Sequence, residues 1–110
     1  MKTIPAFFAI ILFGCNSQTS FDVSEIKGLP YEKAREKLLN AGWQLAPKPE
    51  YAGTRDDVIA KYPETMGCAV DRPFCRFAFI KSKNECLAVI TVGEDINDFF
   101  VKSYLNECEQ

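Results

Sequence analysis

Five cysteines and no histidine decide which chemistry this 110-residue chain can carry. Counted from Cys68, the last four are spaced C-x6-C, C-x10-C and C-x21-C. Structural zinc sites use paired C-x2–4-C knuckles or histidine, so this spacing does not point to a metal. Thiol redox catalysis is not indicated either, because no C-x-x-C occurs. Without histidine the commonest general base is missing. The remaining carboxylate groups, Asp56 with Asp57 and Glu94 with Asp95 and Asp98, sit in polar, turn-forming stretches where solvated surface is the simpler role. The acidic 94 to 98 turn also lacks the spaced aspartates and distal glutamate of a calcium loop. No glycine-rich phosphate loop is present. The residues predict a protein that is not an enzyme and has no cofactor or metal.

The first cysteine stands apart. Residues 1–14, MKTIPAFFAIILFG, join a charged start at Lys2 to an apolar run from Ile4 to Phe13, the pattern of a secretory leader. At ~1.5 Å per residue, ten helical residues cover roughly half of a ~30 Å hydrocarbon core, too little for a permanent span. The sequence Leu12-Phe13-Gly14-Cys15 resembles the lipobox of bacterial lipoproteins. That resemblance implies acylation of the Cys15 thiol, with palmitate-type chains as the membrane anchor, and cleavage before it. Several acyl chains hold a protein far more firmly than one, at ~0.8 kcal/mol per buried CH₂. An ordinary leader cut near Cys15 or Ser17 is the alternative. Cysteine parity supports the lipid: an odd thiol in an exported chain needs an explanation, and setting Cys15 aside leaves four that can pair. Residues 15–24 then read as a polar, lipidated tether. By analogy with lipoprotein sorting, Asn16 is not the aspartate that retains a lipoprotein in the inner membrane. The expected location is the bacterial cell envelope, at the outer membrane facing the periplasm.

Residues 25–110 are expected to form one domain, a length that buries only a modest core. The balance is mildly acidic, 15 Asp and Glu against 13 Lys and Arg, and no basic patch is visible, which argues against nucleic acid as a partner. In IKGLPYEKAREKLLNAGW the spacing predicts a helix over Pro30 to Ala41: proline suits a first turn, Tyr31, Ala34, Leu38 and Ala41 share a face, and Gly42 is a left-handed stop. Glu32, Lys33, Arg35, Glu36 and Lys37 fall on the other face and are expected to be solvated. Gly28, Ala34, Leu38 and Gly42 in this segment resemble the opening of a PASTA-type element, which implies a cell-wall binding module. Trp43-Gln44-Leu45 then alternates like a strand, with Trp43 expected as a core anchor. Residues 46–57 read as a loop, and Val58-Ile59-Ala60 fits either a short edge strand or one helical turn.

From Cys75 onward the chain alternates. Cys75, Phe77 and Phe79 oppose Arg76, Ala78 and Ile80, a turn follows at Ser82 to Glu85, and Leu87, Val89 and Thr91 oppose Ala88, Ile90 and Val92. After the turn at 93–98, Phe99 to Leu105 reads as a third strand, with a C-terminal helix as second choice. The arrangement YPETMGCAVDRPFCRFAFIKSKNECLAVITVGE, preceded by the glycine, helix, GW segment, resembles a family of small exported bacterial proteins of unknown function. The resemblance spans about residues 26–94 and implies a fold and a compartment but no catalytic residues. The expected architecture is α+β, one main helix on a three- to four-stranded antiparallel sheet with two disulfides. Antiparallel strands bring Cys86 near Cys108, which leaves Cys68 for Cys75.

Both faces of this sheet are apolar, whereas a half-solvated antiparallel sheet has a polar outer face. Either Phe21, Val23 and Ile26 or the 51–62 segment covers the second face, or that face, carrying Ile80 and Ile90, is a partner-binding surface or a dimer seam. The loop that Cys68 and Cys75 close, with Asp71, Arg72 and Phe74, is the other candidate binding element. The expected function is non-catalytic binding or structural support in the envelope, with an envelope protein or the cell wall as partner. A periplasmic hydrolase inhibitor is the alternative.

Overall fold

The structure is a computed structural model that describes residues 21–46, 55–82 and 84–106. The leader, Cys15, residues 16–20 of the tether and Cys108 lie outside the described residues. A 3-10 turn, Val23–Ile26, is capped by the Asp22 carboxylate, which accepts from the Ser24 N–H at 3.0 Å. Helix α1 follows over Tyr31–Asn40, with Pro30 at its N-cap rather than inside the first turn. Gly42 adopts φ 102°, the left-handed stop its position predicts. Strand β1 is only Gln44–Leu45, and helix α2 is Asp56–Lys61. Val58-Ile59-Ala60 is therefore helical, and its Val58 is buried in the core.

Strands β2 (Thr65–Cys68), β3 (Phe74–Ser82), β4 (Glu85–Val92) and β5 (Phe100–Leu105) complete a five-stranded antiparallel sheet. Two expectations are corrected here: the sheet has five strands, and a second helix joins α1. β1 falls within the strand expected at Trp43-Gln44-Leu45, and the strand not foreseen is β2, which is short and shares the same edge of β3. Gln44 and Leu45 pair with Ile80 and Phe79, while Thr65, Gly67 and Cys68 pair with Phe77, Arg76 and Cys75. Ala78 sits at the join, accepting from the Ala46 N–H at 3.1 Å and donating to the Glu64 carbonyl at 3.0 Å. One edge strand is thus built from two pieces with an excursion between them.

The core lies on one side of the sheet. Phe77, Phe79, Leu87, Val89 and Val101 meet Tyr31, Ala34 and Leu38 of α1, with Trp43, Val58, Tyr62 and Phe99 closing the rim. Tyr31 stacks on Phe77 with centroids 4.1 Å apart, and Tyr62 meets both rings edge-on. Such aromatic pairs add about 0.5–1.5 kcal/mol beyond their buried area. Ile26 belongs to this same cluster and Phe21 and Val23 pack against it. The expectation that they or the 51–62 segment cover the other face is not met by the described residues, since Val58 and Tyr62 also join this helix-side core.

The C-terminal segment is a strand, and it is kinked. Ile90 pairs with Ser103 but Thr91 pairs with Val101, so Lys102 is the extra residue of a bulge. The uninterrupted alternation expected over Phe99 to Leu105 is corrected accordingly: Val101 is buried and Tyr104 packs on the same core, three residues apart. Lys102 and Ser103 between them take the outer side. Before the strand, Gly93 at φ 147° lets the chain pass where a Cβ would stand 2.9 Å from the Asp98 carbonyl oxygen.

Candidate functional site

Titratable side chains converge at one buried point, where β2 meets α1. Glu64 is fully buried, and its carboxylate accepts from the Tyr31 hydroxyl at 2.6 Å and from Arg35 Nε and Nη2 at 2.6 and 3.2 Å. The Arg35 guanidinium also lies 5.3 Å from the centre of the Tyr62 ring. Burial pushes the Tyr31 phenol well above its ordinary value, and the Glu64 charge acts in the same direction. The hydrogen bond to Glu64 raises the Arg35 value in turn. Arg35 is therefore not part of a freely solvated face, as its helical position suggested. Its stem runs along α1 and its fork turns inward, since a buried carboxylate must be paired to be tolerated. With three hydrogen bonds on a fully buried Glu64 carboxylate, this cluster anchors the split edge to the helix.

The other carboxylates are dispersed. Asp57 accepts from Arg55 at the start of α2, and this exposed hydrogen bond lowers its pKa from the usual carboxylate value. Asp95 caps the second 3-10 turn, Ile96–Asp98, by accepting from the Asn97 N–H at 2.9 Å. Among the described residues no three Cys, Asp or Glu side chains gather as a metal site would require.

Cys68 and Cys75 form a disulfide across β2 and β3, directly paired in register with Cα atoms 4.0 Å apart. The next pair along is hydrogen-bonded, Ala69 N–H donating to Phe74 C=O at 2.8 Å, so the cysteines occupy the close, non-hydrogen-bonded position. Cys86 is not a free thiol; Cys108, the partner expected for it, lies outside the described residues. The disulfide closes a loop in which residues 69–73 are all exposed, including Asp71 and Arg72, with Val70 at 82%. Gly93 N–H donates to Pro73 C=O at 2.9 Å and ties the loop to the end of β4.

Beside this loop the outer sheet face opens into a shallow cleft of about 390 Å³ between Met66, Gly67, Phe74, Arg76 and Ile90. No family model matches the chain, nor does any curated protein or solved structure. The surface must be read from its own residues. Phe74, Val92 and Phe100 form one row across three strands, Arg76, Ile90 and Ser103 the next, and Ala78, Ala88 and Leu105 a third. Ile80 lies beyond them, opposite Cys86. The structure thus brings Phe74, Ile80 and Ile90 onto one face and leaves Asp71 and Arg72 on the loop at its end. Met66 and Gly67 were missed as lining residues because β2 carried no legible strand signal, whereas Arg76 was placed on this face by alternation but not singled out. The Glu64 cluster left one trace in the sequence, a lone carboxylate between Tyr62-Pro63 and the apolar β2, with nothing to name its partners.

Proposed function

We propose that this protein is an exported bacterial envelope lipoprotein, anchored through Cys15, that works by non-catalytic binding through the outer face of its sheet. A second disulfide, Cys86 with Cys108, belongs to this reading. The observation that carries it is the apolar outer face, over which no described helix or strand packs, while both helices and the N-terminal turn serve the opposite side. Surfaces of this kind mark interaction sites when they are contiguous. A photo-crosslinking side chain at Ile90 or Phe100 in living cells tests it. Adducts from those positions and none from Glu36 on α1 are expected; equal yields from both sides would remove the outer face as the working surface.

A second reading is inhibition of a hydrolase by the loop at 69–73. It is favoured by that loop's full exposure and its double fastening, by the disulfide and by the Gly93 bond. A panel of envelope and cell-wall hydrolases assayed with the protein and with Arg72→Ala separates the two readings. Inhibition that the variant loses favours the loop, and none by the parent protein dismisses it.

A further inference from the structure

Strand β2 is fastened at its two ends by different chemistry. Its root is held by Glu64, whose carboxylate accepts from Tyr31 and Arg35 and whose carbonyl accepts from the Ala78 N–H at 3.0 Å. Thr65 adds to this root, its hydroxyl and its N–H both donating to the Tyr62 carbonyl, at 2.6 and 3.0 Å. The far end is held by the Cys68–Cys75 disulfide and by the Ala69 N–H, which donates to the Phe74 carbonyl at 2.8 Å. Between root and far end the register slips from Thr65 to Gly67, so the ladder of this four-residue strand is interrupted midway.

The place of the disulfide in the sheet is a second observation. A non-hydrogen-bonded pair sets facing Cα atoms about 4.5 Å apart, and here the separation is 4.0 Å. Disulfides settle most often at about 5.5–6 Å. The ladder thus holds the two cysteines closer than the bridge prefers, and bridges held away from their preferred spacing are the readily reduced ones. Among the described residues β2 pairs with β3 alone, which puts Cys68 at the margin of the sheet. Cys68 is 8% exposed against 4% for Cys75, and the loop beyond them at 69–73 is exposed throughout.

We propose that Cys68–Cys75 is a redox latch, opened by a protein dithiol while the domain stays folded. A thiolate of the dithiol attacks Cys68 Sγ, and Cys75 leaves as a thiolate and takes a proton. The second thiol of the reductant then attacks its own sulfur in the mixed disulfide and releases Cys68 as a thiol. Two electrons and two protons have passed to the bridge, and the reductant has become a disulfide. The opened latch frees β2 from Gly67 onward, while Glu64 keeps its root on α1. Met66 and Gly67 stand on one side of the outer-face cleft and Phe74 and Ile90 on the other, so the same step widens the cleft. The latch goes beyond the binding reading above and does not depend on it, since it needs neither the anchor nor a partner on the sheet.

The test keeps the full chain and uses reduced thioredoxin as the probe dithiol, with alkylation of new thiols read by peptide mass spectrometry. Cys68 and Cys75 are expected to become labelled at a rate that urea does not change below the unfolding transition, because the opening is local. A thioredoxin lacking its second active-site cysteine is expected to be trapped on Cys68. In the reduced chain the Ala69 N–H should exchange with solvent about tenfold faster or more, while the Ala78 N–H, bonded to the Glu64 carbonyl, keeps its rate. The double variant Cys68→Ala with Cys75→Ala should show the same exchange pattern without reductant, which separates the latch from any action of thioredoxin on Cys86. No labelling, labelling only as the chain unfolds, an adduct on Cys75 alone, or an Ala69 rate unchanged in both the reduced chain and the double variant overturns the proposal. So does Ala78 exchange that accelerates equally, because the whole of β2 then comes away and no root remains.

Discussion

Removing Arg35 is expected to harm this fold more than neutralising the carboxylate it serves. Glu64 has no exposed surface, whereas the Arg35 side chain keeps 24% of its own. Arg35→Met leaves a buried charge with the Tyr31 hydroxyl as its remaining donor. Stripping one partner from a buried pair costs about 3–5 kcal/mol. The surviving Tyr31 bond, charge-assisted at 2.6 Å, moderates this toward the lower end, about 3 kcal/mol. Loss of the guanidinium over Tyr62 adds about 0.5–1 kcal/mol. Glu64→Gln, by contrast, keeps an oxygen for Tyr31 and lets Arg35 turn outward to water, so it is expected to cost about 1–2 kcal/mol. Against a total stability of about 5–15 kcal/mol for a domain, the first change is severe and the second is tolerable. Urea unfolding followed through Trp43 fluorescence, with disulfides intact, measures both at constant slope. In the double variant the costs should fall short of their sum by at least about 1 kcal/mol. If Glu64→Gln destabilises as much as Arg35→Met, or the double variant is additive, the buried pair does not hold β2 to α1 in the way described.

The other predictions concern features already located. Replacing both Cys68 and Cys75 by alanine releases a loop with a sequence separation of 7, for which chain entropy gives about 2.4 kcal/mol, readable as a fall in the urea midpoint. Gly93→Ala should cost more than Gly28→Ala: both positions have positive φ, worth about 1–3 kcal/mol, but only Gly93 would also drive a Cβ against the Asp98 carbonyl. Thermal melting of the two variants compares them directly. Because burial and the Glu64 charge raise the Tyr31 phenol in the folded state, its contribution is complete below the ordinary tyrosine value of about 10 and declines as pH rises from there toward the raised value. Tyr31→Phe should therefore flatten the loss of stability above about pH 10, measured as the urea midpoint against pH.

Much of the scaffold can be read without coordinates. The period of Tyr31, Ala34 and Leu38 marks α1, and the strict alternation of β3 and β4 places Phe77, Phe79, Leu87 and Val89 inside. The Cys68–Cys75 bridge also follows from strand logic. What the sequence hides has physical causes. β1 falls within the strand expected at Trp43-Gln44-Leu45, but β2 gains its place from pairing with β3, which no local propensity encodes. The bulge at Lys102 reverses which residues face inward midway through β5, and only the register of β4 reveals it. Arg35 reads as surface because helical phase reports where a Cα lies, and a long side chain can still fold back over Tyr62 to a buried carboxylate. The candidate surface was legible as an anomaly, two apolar faces where one would do. Which charged residues border it was not, because that depends on which side of each strand a charge falls.

The two-piece edge of β3 bears on how the protein behaves in a crowded compartment. A long, flat boundary strand is a template on which other chains can add, one backbone group after another. Here that boundary is β1, then an excursion, then β2, with a register slip between Thr65 and Gly67. The opposite boundary, β5, is shielded at its start by Gly28 and Leu29, which exchange hydrogen bonds with Val101, and is kinked by Lys102 beyond. Neither border offers an incoming strand more than a few consecutive partners. The same interruptions that obscure the fold in the sequence protect the sheet against runaway addition, so straightening β5 by deleting Lys102 would turn a border into a nucleus for polymer growth.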